Sequence, residues 1–200
     1  MNGNAAIPTS FDGWLAGGPE PLTRAGLTWL DAQRRSARER VLAEGVPGMK
    51  QEAWRYTGLR SLVEQKFTPC TETLSAVQPY DLEDQLIPGL DAYRAVLVNG
   101  RFVSHLSNLS GLPDGVRAGS LRAIMESDPD TLEGLLNQVA GEGAHLFSAL
   151  NTAGMEDGFV LLLAEGLVLD RPVELIHLSV GMDEPRVAQP ERGQRADARL

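Results

Sequence analysis

Apolar residues return with helical spacing through residues 20–44, where Leu22, Ala25, Trp29, Leu30, Ala37 and Val41 fall on one stripe. That period predicts a helix with one face on a core, and Gly45 followed by Pro47 supplies its stop. Arg34, Arg35, Arg38 and Arg40 crowd its second half, where cations suit the negative helix end; they read as a solvated face rather than a phosphate patch. Ahead of it, residues 1–18 are small and Gly-rich, with Phe11, Trp14 and Leu15 placed to dock as a short helix after Ser10. The stretch that follows is broken at Thr68-Pro69, Gln78-Pro79 and Ile87-Pro88-Gly89, the signature of a connector. From Tyr93 the pattern changes. Ala95-Val96-Leu97-Val98, Asn99-Gly100 and Arg101-Phe102-Val103 predict a strand, a tight turn and a returning strand. Asp130-Thr-Leu-Glu133 has the form of a capping box ahead of Leu135, Leu136 and Val139, so a helix is expected there. Residues His145 to Ala153 are a second short helical candidate. The last third is β: Phe159–Leu163, Leu167–Leu169 and Val173–Leu178 are short apolar runs punctuated by Gly158, Glu165-Gly166 and Asp170-Arg171-Pro172. Strands this short and closely spaced suit a β-solenoid, whose rungs turn after a few residues.

The expected class is therefore α+β. Residues 1–66 form an N-terminal helical region and residues 67–92 a Pro-rich connector. Residues 93–183 form a mixed α/β region leading into the start of the solenoid. Residues 184–200 read Glu-Pro-Arg-Val-Ala-Gln-Pro-Glu-Arg-Gly-Gln-Arg-Ala-Asp-Ala-Arg-Leu, a polar, Arg-rich tail expected to be disordered.

The chain has 200 residues, 42% of them hydrophobic, enough for a real core in one or two domains. Its net charge of −9 argues against nucleic acid and against anionic membrane surfaces, both of which select basic faces. No apolar run approaches a membrane span; the longest is Phe159–Ala164. Met1 to Ser10 lack the basic start and apolar stretch of a signal peptide. The single cysteine, Cys70, leaves no internal disulfide and no four-thiolate iron–sulfur site within the chain, and points to a reducing, cytoplasmic setting. Lys50 and Lys66 are the only lysines, an Arg bias that hints at a GC-rich bacterial coding sequence.

Candidate chemistry is sparse. His105, His145 and His177 are too far apart for a zinc or iron motif; His177 alternates with Val173 and Leu175 and is expected to face a core or groove wall. Cys70 follows a proline and reads as an ordinary free thiol. There is no Walker loop and no Gly-x-Ser-x-Gly elbow. The carboxylate pairs Glu83/Asp84 and Glu156/Asp157 lie in polar stretches and read as solvated turns. No catalytic, metal-binding or cofactor-binding residue is assigned, and the chain is not read as an enzyme.

Residues 45–59 carry the most information: Gly-Val-Pro-Gly-Met-Lys-Gln-Glu-Ala-Trp-Arg-Tyr-Thr-Gly-Leu. An indole, a phenol and charges in a turn-bounded run need partners for their polar edges. The form Gly-hydrophobic-Pro-x-x-Lys50-x-Glu52-x-Trp54-Arg55-Tyr56-Thr57-x-Leu59 resembles the N-terminal signature of the SufD family of the Suf iron–sulfur cluster assembly system. Further matches follow in order. Asn99-Gly100-x-Phe102 with Leu106-Ser107 resembles the family's first strand pair, and Leu112-Pro113-x-Gly115-Val116 its next turn. Phe147-x-Ala149-Leu150-Asn151-x-Ala153, then Asp157-Gly158, resembles the approach to its β-helix. Val168-Leu169-x-x-Pro172-Val173-x-Leu175 resembles an early rung. The likeness covers roughly residues 20–180.

The resemblance implies a non-catalytic scaffold with a helical N-terminus, a right-handed parallel β-helix and a C-terminal helical domain. It implies a SufB-like paralogue and a SufC-like ATPase as partners. The whole complex would build an iron–sulfur cluster, and a flavin belongs to it at most; neither would be bound by this stretch. The family's metal-handling histidine and main partner contacts lie in its second half, so no role of that kind is carried onto a residue here. Family members run longer than this chain, and the expectation is an N-terminal fragment with a truncated β-helix. On that view the Trp54/Arg55/Tyr56 cluster pins the N-terminal helix against the first coil, or else forms a contact surface. Two other readings remain open: a generic interaction adaptor, and a carbohydrate-active β-helix enzyme using Glu174.

Overall fold

A computed structural model describes residues 27–59, 77–138 and 146–180. Expectations for residues 1–26, the connector around Cys70, Val139, His145 and the tail over 184–200 lie outside the described residues.

Helix α1 spans Thr28–Glu44 and stops at Gly45, whose φ of 63° only glycine adopts freely and whose N–H reaches the carbonyl of Val41. Its inner face is Leu30, Arg34, Ala37 and Val41, spaced four, three and four residues apart. Arg34 is thus buried, against the expectation of a wholly solvated arginine face: its position on the stripe outweighs its charge. Helix α4, Leu146–Gly154, lies along α1, with Leu146, Ala149 and Ala153 meeting Val41 and Ala37.

Two small sheets complete the fold. The first contains β1 (Tyr93–Val98), β2 (Arg101–Phe102) and β5 (Val173–Leu178) in the order β2-β1-β5. Strand β1 is apolar on both faces because it sits in the middle. Asn99 and Gly100 both take positive φ, 49° and 80°, and fold β2 back antiparallel with Leu97 opposite Phe102. This is the primed turn that Asn-Gly favours. Strand β5 runs parallel to β1, from Tyr93 opposite Val173 to Val98 opposite Leu178. Val96, Val98 and Ile176 on one face meet Val77, Leu82, Val103 and Leu106. The second sheet pairs β3 (Val116–Ser120) antiparallel with β4 (Phe159–Leu163). Helix α2 (Leu121–Ser127) follows β3 directly, its first turn capped by the Ser120 hydroxyl, which accepts from the Ala123 N–H. Leu121, Ile124 and Met125 join Leu30, Leu132, Val160 and Leu162 in a second core.

The expected right-handed β-helix is not what the strands form. Phe159–Leu163 and Val173–Leu178 belong to different sheets, one antiparallel and one parallel. A solenoid stacks successive short strands on one another, whereas here β5 skips β4 and joins a strand eighty residues earlier. Short apolar runs announce strands but do not choose their partners, and β1, buried on both faces, was the apolar flank available to β5.

The helix expected at Asp130 does start there, but without the side-chain cap of a capping box. Helix α3 is a single turn, Asp130–Glu133, with Pro129 at its cap and no side-chain cap bond. Asp128 does the local tying instead, accepting from Thr131 Oγ1 and from Arg117. Those bonds hold its carboxyl below the usual range, Thr131 contributing most.

A candidate interaction surface

Three polar junctions hold the sheets, and a fourth group of polar and aromatic residues is left outside. The first junction is Asp157. Its Oδ1 accepts from the Ser120 hydroxyl at 2.8 Å and the Arg122 N–H at 3.1 Å, and its Oδ2 accepts from the Phe102 N–H at 3.1 Å. One carboxylate thereby ties β2, the β3–α2 corner and the start of β4, while the Phe102 and Phe159 rings stack across the sheets at 5.9 Å. Beside it, Glu156 pairs with Arg101 and lies 3.7 Å from Arg122. The buried Arg34 guanidinium feels both Glu156 and Arg122; burial lowers its pKa, opposed by Asp31 and Glu156. Glu156/Asp157 is therefore no solvated turn. The sequence hid this because the partners come from residues 101, 102, 120 and 122.

The second junction lies at the opposite end of β1. The buried Tyr93 hydroxyl donates to Asp170 Oδ1 at 2.7 Å and stands 3.0 Å from the Gly111 carbonyl oxygen. The Arg171 guanidinium sits over the ring at 4.2 Å and reaches Asp91 at 3.1 Å. The Tyr93 bond holds the Asp170 carboxyl below its usual range, and the Tyr93 and Asp91 contacts raise Arg171.

The third is Glu174, buried on β5. Its Oε2 accepts from Arg94 Nε at 2.7 Å and its Oε1 from the Ile87 N–H at 3.2 Å. The Arg94 bond lowers its pKa, so it stays a carboxylate. A glycosidase acid must hold its proton; Glu174 is built for the reverse.

The family-motif residues do not converge on one pocket. Asn99 and Gly100 form the β1–β2 turn, and the Asn99 amide clasps Val180, donating to its carbonyl at 3.1 Å and accepting from its N–H at 2.9 Å. Pro172 is at the other end of the same strand pair, its carbonyl accepting from the Tyr93 N–H at 2.9 Å. Gly158 opens β4 and its carbonyl accepts from the Leu121 N–H at 2.9 Å. Asn151 is exposed on α4. His177 and His105 are also exposed, and His105 Nε2 lies 3.3 Å from the Val77 carbonyl oxygen; the expected core or groove-wall setting of His177 is not found.

The Gly45–Leu59 segment is different. A single 3₁₀ turn, Glu52–Trp54, lies within it. Trp54 is half-buried, its indole 5.5 Å from the Phe147 ring on α4. The Trp54 indole thus leans on α4, where a first β-coil was expected. Leu59 is half-buried, while Lys50, Glu52, Arg55, Tyr56 and Thr57 are exposed. Tyr56 is 92% exposed, with Arg55 over its ring at 5.7 Å. Leu42, Val46 and Met49, shortly before it in sequence, are exposed as well. Apolar surface left in water beside cations suits contact with another molecule better than chemistry.

The family model described as "SufBD protein N-terminal region" matches residues 19–175. The chain belongs to the SufBD family. It is 28% identical over 158 residues to an iron–sulfur cluster assembly SufBD family protein of Synechocystis, covering 79% of this chain and 34% of that protein. It is 31% identical over 103 residues to the iron–sulfur cluster assembly protein SufD of Escherichia coli, covering 44% of this chain and 23% of SufD. The matched stretch is thus about a third, or less than a quarter, of these SufBD relatives. Among the described residues, no group of three or more His, Cys, Asp and Glu is placed to hold a metal ion, and no helix is long and apolar enough to cross a membrane.

Proposed function

We propose that this chain serves Suf-type iron–sulfur cluster assembly as a non-catalytic scaffold in the cytoplasm, working with a SufB-like paralogue and a SufC-like ATPase. The family match over residues 19–175 carries this reading. The disposition of the charged side chains supports it: Glu156 is spent on arginines, Asp157 on two backbone N–H groups and the Ser120 hydroxyl, and Glu174 on Arg94 and the Ile87 N–H, leaving them poor candidates for acid–base work. On this reading the cluster is cargo of the whole assembly, and residues of this chain hold neither it nor a flavin.

Co-expression with SufB-like and SufC-like proteins, followed by affinity capture of this chain, tests the proposal. Both partners are expected to co-elute in fixed ratio. Capture of neither sinks the scaffold reading, and stoichiometric capture of an unrelated protein favours a general adaptor.

A further inference from the structure

We infer that the outer side of α1 and the Gly45–Leu59 segment form a docking strip for an acidic polypeptide segment of another protein. The inference rests on charge and exposure alone and stands whether or not the chain serves cluster assembly.

The charge distribution is lopsided. Residues 35–55, which leave out the buried Arg34, hold five of the 18 basic side chains but only three of the 27 acidic ones, and the other residues carry 24 acidic against 13 basic groups. Within the strip Arg40 is answered by Glu44 at 2.7 Å. Arg35, Arg38, Lys50 and Arg55 make no ion pair with any described residue. Arg35 and Leu42, seven residues apart, lie on the exposed side of α1, while Arg38, three residues before Val41, flanks the buried stripe and is half-buried. A basic strip on an acidic protein attracts a partner of opposite sign and orients it.

Apolar contact surface lies in the same strip. Leu42, Val46, Met49 and Tyr56 are all exposed, Met49 at 69%. Methionine adapts to irregular partners, and tyrosine supplies contact area at low entropic cost. Cations interleaved with such groups match a peptide in which acidic residues alternate with apolar ones. An extended polyanion fits less well. Duplex DNA or an anionic bilayer would overrun the strip and meet the predominantly acidic remainder of the surface.

The test is fluorescence anisotropy of a labelled peptide of Glu and Leu, about twelve residues long and so within the reach of a single strip, titrated with the 200-residue chain at low salt. Saturable binding is expected, weakened about tenfold in Arg35→Glu/Arg38→Glu and in Tyr56→Ala, and also weakened by added salt. Glu39→Gln, which removes an exposed acid from the same helix, should tighten it. Thermal melts matching the parent establish that the variants fold; should the double variant not fold, Tyr56→Ala and Glu39→Gln decide. No binding at low salt, or equal binding by parent and variants, overturns the inference. So does binding of phosphatidylserine vesicles or duplex DNA with the same response to these variants, since that assigns the strip to another class of partner.

Discussion

Two tyrosines, each with an arginine over its ring, behave in opposite ways. Tyr93 is 1% exposed, its hydroxyl bonded to Asp170 and its ring covered by Arg171 at 4.2 Å. Tyr56 is almost wholly exposed, with Arg55 at 5.7 Å and no tie to a distant part of the chain among the described residues. The first pair joins β1 to the β4–β5 connection, seventy-seven residues away. The second joins neighbours in sequence. A cation over an aromatic ring stabilises a fold only when it closes a long-range contact out of water; in solvent the same pair is available to something else.

The sharpest way to break this contrast is Tyr93→Ala. It should cost about 3–5 kcal/mol, as for other large buried side chains, and lower the urea midpoint accordingly. Tyr93→Phe keeps the ring and should lose about 1 kcal/mol, the net worth of one hydrogen bond; an equal loss in both variants would locate the effect in the hydroxyl. Next comes Asp157→Ala. It strips partners from Ser120, Arg122 and Phe102 at once and should cost about 2–3 kcal/mol. Loss of amide-exchange protection is expected at Phe102 and Arg122 before the rest of the chain. Trp54→Ala removes a half-buried ring against Phe147 and should cost about 1–2 kcal/mol, less than a fully buried indole. Tyr56→Ala should stay within about 0.5 kcal/mol of the parent. A loss there as large as at Tyr93 would erase the distinction.

Acid sharpens the comparison from another side. Glu174 and Asp170 both titrate below their ordinary values of 4.5 and 3.8. Each therefore contributes stability that is present above that ordinary value and is lost as pH falls through the lower folded one. Denaturant midpoints should hold from neutrality down to about pH 5 and then drop. Glu174→Gln should be less stable at neutral pH and show a shallower acid limb. An unchanged acid limb would mean that the Arg94–Glu174 pair contributes nothing there.

Some of this was readable from residues alone. The Asn99-Gly100 turn was legible because only a few residue types accept two consecutive positive φ values. Helix α1 was legible from its period, and the same period placed Arg34 between Leu30 and Val41, although its charge suggested water. The pairing of β5 was not legible, since apolar runs five and six residues long carry no address. The Asp157 junction was equally hidden, because a carboxylate followed by glycine describes a turn just as well. The Trp54 segment was visible as composition and family likeness; that it leans on α4 and leaves Tyr56 in water took the fold to show.

The parallel pairing of β1 with β5 sets an order of events. The β1–β2 hairpin can close as soon as Phe102 emerges from the ribosome, but the other flank of β1 waits for Val173–Leu178. At ordinary translation speeds, the 76 residues from Phe102 to Leu178 take roughly 4–15 s. Throughout that interval a nascent chain carries an apolar strand with one side unzipped, an edge that invites a chaperone.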